Sequence, residues 1–125
     1  MKKLTVQTTA WRELHDITDR VTQSCDADGV WLIYVPHTTA GVTINEGADP
    51  AVARDVIAAL EAMVPEDLRY EHAEGNSPAH VLVSLTGSSV LLAVEKGKPQ
   101  LGRWQAVFLC EFDGPRSREV WLHRL

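Results

Sequence analysis

Three histidines stand among polar and acidic residues between apolar runs. His37 opens the stretch Pro36-His37-Thr38-Thr39-Ala40-Gly41-Val42-Thr43-Ile44-Asn45-Glu46-Gly47-Ala48-Asp49-Pro50. His72 lies within residues 65–78, and His80 follows the Ser77-Pro78 corner. Three imidazoles with carboxylates nearby can bind zinc or another divalent metal and leave one position open for water. Their spacing matches no standard metal motif such as His-Glu-x-x-His. The competing reading is three separately hydrogen-bonded loop histidines, and only proximity in space decides between the two. His15 and His123 fall in expected structural elements.

The carboxylates sort by local duty. Asp49 precedes Pro50 and reads as a helix cap. Asp113, before Gly114-Pro115, reads as a turn former. Glu46 and Glu111 have no such duty. Glu111 sits on a mostly apolar strand, where an unpaired buried charge is costly. It needs a partner: Arg116, Arg118 or a metal. Arg116 and Arg118 occupy alternate positions, so both guanidiniums could grip one phosphate. They could equally mark a solvated edge strand. Thr38 and Thr39 could donate to an anion or cap their own loop. No P-loop or GxGxxG is present, no Ser/His/Asp set stands out, and neither cysteine neighbours a base.

The elements that must position these groups follow from periodicity. Residues 3–9 alternate like a half-buried strand, which residues 11–15 are expected to continue or pair with. A short helix follows Asp16, with Ile17, Val21 and Ser24 or Cys25 inward. Residues 30–35 (VWLIYV) form a buried strand ended by Pro36. Residues 42–45 read as a short strand. The helix after Asp49 carries a stripe of Val52, Val56, Leu60 and Met63, expected to pack in the core. Residues 65–78 are irregular, residues 80–85 lean to a helix, and residues 89–94 read as a strand. Residues 104–112 form a long strand and residues 119–125 another, expected to pair as a hairpin. Strands do not alternate with helices, so an α+β fold is expected: one domain over residues 1–125, with largely antiparallel, sandwich-like sheets and two or three helices.

The chain has 125 residues and a net charge of -5, which argues against a nucleic-acid face. No apolar stretch approaches the roughly 20 residues of a spanning helix. Lys2-Lys3 is followed by no apolar signal core, so a cytoplasmic address without membrane attachment is expected. Cys25 and Cys110 are expected to be reduced thiols.

The opening stretch, with Asp55, resembles the YjbQ family. So do Tyr70-Glu71-His72, Glu74-Gly75-Asn76-Ser77 and Ala79-His80. Gly87-Ser88-Ser89, Gly97, Leu101-Gly102-Arg103-Trp104-Gln105 and Glu111-Phe112-Asp113-Gly114-Pro115-Arg116 continue the likeness in order. Arg103 departs from the Thr or Lys usual there. The resemblance implies a small α+β protein assembling as a homotrimer. It also implies a weak secondary thiamine-phosphate synthase, joining hydroxymethylpyrimidine diphosphate to thiazole phosphate and releasing diphosphate. A metal-dependent hydrolase of another small phosphorylated metabolite, or a non-enzymatic binding trimer, would use the same residues. By position, the resemblance implies a metal or anion near His37, His72 and His80, with Glu46 and Asn76 nearby. The expected catalytic residues are then His37, His80 and Glu46, and the expected ligands of a zinc or magnesium ion are His37, His72 and His80. Thr38, Thr39, Asn45, Asn76, Glu111, Arg116 and Arg118 are expected to contact substrate or phosphate.

Overall fold

The computed structural model describes all 125 residues. In chain order the elements are β1 (Lys2–Gln7), β2 (Glu13–Asp16), α1 (Thr18–Ser24), β3 (Gly29–Tyr34), β4 (Ala40–Glu46), α2 (Pro50–Met63), α3 (Ser77–Thr86), β5 (Ser89–Glu95), β6 (Lys98–Pro99), β7 (Gln105–Glu111) and β8 (Ser117–Arg124). They build a single α+β domain. One sheet has five strands in the order β1-β8-β3-β5-β6, and the other has three in the order β2-β7-β4. Every pairing is antiparallel.

The two sheets face one another. Ile33 of β3, Val120 and Leu122 of β8, Val42 of β4 and Leu109 of β7 meet in one core, all fully buried. α1 closes this core with Val21, while Ile17 and Cys25 flank it. Ser24, the other candidate for that stripe, is only half-buried. The far side of β7 turns Cys110 and Phe112 into a second core beneath α3, with Ala79, Leu82 and Val83. Both faces of β7 are therefore covered, and six of its residues in a row are buried.

Local chemistry explains the helix limits. Asp49 Oδ1 accepts from Ala51 N–H at 2.9 Å, and Pro50 stands at the first helical position. After α3, Gly87 takes φ 93°, and its carbonyl accepts from Val42 N–H at 3.2 Å. Gly41 lets β4 come that close, because a Cβ there would lie 2.3 Å from the Gly87 oxygen.

Three expectations need correction. β7 and β8 are not a hairpin: both flanks of β7 are taken by β2 and β4, so the chain crosses at Asp113-Gly114-Pro115 to the other sheet. Residues 13–16 pair with β7 rather than extending β1. The α2 stripe is amphipathic as expected, but no α2 residue is fully buried and Met63 is 65% exposed. Only Ile57 and Leu60 touch the second core. The outer face of the five-stranded sheet is also apolar and open at Val30, Tyr34 and Leu91.

Burial sets the mutational pattern. Leu82→Ala, at a site with 0% exposure, is expected to cost about 2–5 kcal/mol of stability. Met63→Ala should stay within about 0.5 kcal/mol. Urea unfolding of the two variants measures the contrast.

Candidate functional site

The ends of β7 and β8 meet where the two sheets come together, and the most buried polar group of the molecule lies there. Glu111 is 0% exposed and Arg118 3%. Arg118 Nε donates to Glu111 Oε1 at 2.9 Å, and Nη2 donates to Oε2, a two-pronged pairing. Thr8 Oγ1 donates to Oε1 at 2.7 Å, and Asp113 N–H to Oε2 at 3.1 Å. Each carboxylate oxygen thus has two donors. Arg118 Nη2 also donates to Thr39 Oγ1 at 2.9 Å, fixing the loop that carries His37. Gly114 lies against the carboxylate, since a Cβ there would fall 2.7 Å from Glu111 Cγ.

Around this pair the exposed groups are held in turn. His37 is half-buried, and its Nε2 accepts from Glu119 N–H at 2.9 Å. Nε2 as acceptor leaves the proton on Nδ1, so the ring can donate to a ligand from Nδ1–H. Burial, then the Arg118 guanidinium, lowers the pKa of His37 from its ordinary 6.5, against the opposing pull of Glu111 and Glu119. The ring is therefore neutral at pH 7. Arg116 lies near enough for its charge to add to that lowering. Its side chain is 51% exposed, and Nη2 donates to Asp113 Oδ2 at 3.1 Å. The same oxygen accepts from Asn76 Nδ2 at 3.0 Å, tying the start of α3 to the β7–β8 crossing. Asn76 Oδ1 is buried without a partner, and Asn76 is one of the residues that line a cavity of about 40 Å³. That volume admits one water or one ligand donor group.

The expected site residues therefore divide. His37, Thr39, Asn76, Glu111, Arg116 and Arg118 belong to one connected neighbourhood. Arg116 and Arg118 do not project together as a phosphate grip: Arg118 turns inward to Glu111, and Arg116 stays outside. Nor is Arg118 on an edge strand, since β8 lies between β1 and β3. His72 and His80 meet edge to face, with ring centroids 5.3 Å apart. His37 does not complete a triad with them, and the chain contains no group of three His, Cys, Asp or Glu side chains able to hold a metal. Thr38 is exposed, and Asn45 Oδ1 is used locally by Glu46 N–H. Glu46 lies at the opposite end of β4, about 20 Å along the strand from Ala40 at ~3.3 Å per residue. There it lines a separate cleft of about 500 Å³ between α2 and the three-stranded sheet. Both cysteines are free and buried, and burial pushes Cys25 up to about 11 and Cys110 to about 12, so neither is a ready thiolate.

Sequence reasoning missed Thr8, whose hydroxyl meets Glu111 across 103 residues, and the tethering role of Asp113. Only the cost of burying Glu111 signalled that such partners must exist.

Residues 2–125 match the family described as UPF0047 protein YjbQ-like. The chain belongs to the YjbQ family. It is 47% identical over 124 residues to UPF0047 protein MJ1081 of Methanocaldococcus jannaschii, covering 96% of this chain and 90% of that protein. It is 42% identical over 127 residues to UPF0047 protein YugU of Bacillus subtilis, covering 98% and 96%. Among solved structures, an uncharacterized conserved YjbQ/UPF0047 protein from Clostridium acetobutylicum superimposes with a TM-score of 0.95 at 42% identity, over all of both chains. A conserved hypothetical protein from Thermus thermophilus gives 0.95 at 46% identity, again over all of both chains. The YjbQ fold is thus shared along the full length, and these proteins carry no assigned activity in their descriptions.

Two outcomes follow from the buried pair and the imidazole. Glu111→Gln leaves Arg118 buried without its counter-charge and is expected to cost about 3–5 kcal/mol. Replacing both, as Glu111→Leu with Arg118→Met, should cost less than the single change in chemical denaturation. His37 is harder to protonate folded than unfolded, so the unfolded chain takes up the proton first as pH falls below 6.5. The native protein should therefore lose melting temperature below that pH more steeply than a His37→Gln variant, in matched thermal scans.

Proposed function

We propose that this chain is a weak transferase of the thiamine-phosphate synthase type. The reaction joins hydroxymethylpyrimidine diphosphate to a thiazole phosphate. The thiazole nitrogen forms the new C–N bond as the methylene C–O bond breaks, and diphosphate leaves with the electron pair. Charge builds on the leaving oxygen, and fixed donors there lower the barrier.

One observation carries the reading. An exposed guanidinium, Arg116, bears electrostatically on a neutral imidazole, His37, whose Nδ1–H is free to donate. His37 is held by Glu119 N–H and Arg116 by Asp113 Oδ2, on elements tied together by the buried Glu111–Arg118 pair. Thr39 and Asn76 are oriented by the same network and support the walls of the site. The set is small for a diphosphate, which fits a slow rather than a dedicated catalyst.

The expected divalent metal has two candidate imidazoles, His72 and His80, and no third donor beside them in this chain. A single chain does not complete such a site, so no step is routed through a metal. A third ligand would have to come from substrate or a neighbouring copy. The open apolar strip at Val30, Tyr34 and Leu91 supports self-association, and the trimer is part of the proposal.

Incubating purified protein with the two precursors tests the reading by product formation. Arg116→Ala and His37→Ala are each expected to lower kcat by at least about tenfold, while Met63→Ala leaves it unchanged. No product from the native chain, or equal rates in all four proteins, would remove the proposal.

A further inference from the structure

The cleft between α2 and the three-stranded sheet is chemically unlike the His37 and Arg116 neighbourhood. Its volume of about 500 Å³ lies in the range of small-molecule sites. It exists because α2 stands off the sheet: the helix has an apolar stripe yet no fully buried residue. Phe108, 3% exposed, and Leu14 contribute to one wall, while Ala53 and Ile57 of α2 contribute to the other.

The charges of the cleft are largely spoken for, and what remains is mostly acidic. Arg12 is paired with Glu61 at 3.3 Å and with Glu66. Glu13 accepts from Thr9 and Ala10 N–H groups and contacts His15. Asp16 and Asp49 each use one oxygen on a backbone N–H at a helix start, leaving the other free. Glu46 is half-buried, and its carboxylate has no hydrogen-bond or ion-pair partner. Arg54 is the single cation in the lining without an ion pair. Three carboxylates with free oxygens thus face one guanidinium over an apolar wall.

We infer that this cleft binds a small amphipathic cation: a protonated primary amine carried on an apolar, ring-sized body. The ring would lie against Phe108, Leu14 and Ile57, where an aromatic or aliphatic surface is removed from water. The ammonium group would donate to Glu46, with Asp16 and Asp49 adding attraction. A charged partner makes that hydrogen bond about twice as strong as a neutral one. An anionic body of the same shape meets three unpaired carboxylates against the single Arg54 guanidinium and is disfavoured. The inference does not rest on the transferase reading, since neither His37 nor Arg116 lines the cleft.

Titration calorimetry of the full chain with phenethylammonium, 2-phenylethanol and phenylacetate provides the test. The ammonium should bind, with the alcohol weaker by about tenfold or more, as loss of a charge-assisted bond gives, and phenylacetate should not bind. Glu46→Gln should weaken the ammonium by a similar factor. Ala53→Trp, which fills the cleft, should abolish binding while far-ultraviolet dichroism and melting temperature report an intact fold. His37→Ala should leave binding unchanged, which separates this result from the transferase assay. Equal binding of all three probes, no binding of the ammonium, or indifference to both cleft variants overturns the proposal. A fall in assembly mass with Ala53→Trp would assign the cleft to a second copy of the chain instead, and would also overturn it.

Discussion

The ion pair of Glu111 and Arg118 joins the last residue of a strand in one sheet to the second residue of a strand in the other. Removing two charges from water is expensive, and their attraction repays it only when the geometry is good and every remaining lone pair is used. Here the guanidinium fork meets both carboxylate oxygens, and Thr8 and Asp113 complete them. The pair therefore tolerates little relative movement of the sheets. It also organises four stretches of chain that are far apart in sequence. Thr8 ties in the segment after β1, Thr39 the loop after β3, Asp113 the crossing after β7, and Asn76 the start of α3. His37 and Arg116 add contacts of their own, to Glu119 N–H and Asp113 Oδ2, on stretches that these ties hold in place.

How much of this was legible follows from what each signal measures. Alternation and apolar runs report the solvent side of a segment, and they placed most strands and the α+β class. They do not report which strand lies beside which. The turn signals at Asp113-Gly114-Pro115 suit a hairpin, yet occupancy of both β7 flanks sends β8 elsewhere. Glu111 was readable as a residue in need of a partner because charge burial has a cost, while Thr8 gave no local sign. The α2 stripe told that one face is apolar, but periodicity is silent on whether anything covers that face. The histidines show the same limit. Two of them meet and one does not, and only the tertiary path decides it.

The electrostatics of the molecule are divided along β4. At its first residue the surroundings are donors, with a neutral imidazole and a guanidinium held by buried charge. At its last residue they are acceptors, with carboxylates above an apolar wall. A net charge of -5 hides this division, because it averages over both regions. The unpartnered oxygen of Asn76 belongs to the first region and marks a place where the protein alone leaves a hydrogen bond unmade.

The strand order has a consequence for how the chain is made. β8 lies between β1 and β3, with Lys2 opposite Leu122 and Trp31 opposite Arg124. During synthesis β1 emerges early and has no sheet neighbour until the final strand arrives. The apolar faces of β1 and β3 must wait, and Arg118 must reach Glu111 at the same late step. Pairings this distant in sequence carry a large loop-closure cost and fold slowly. An unfinished chain exposes open strand edges of the kind that recruit other chains. The same insertion that locks the two sheets together is thus the step that leaves the edges of β1 and β3 open longest.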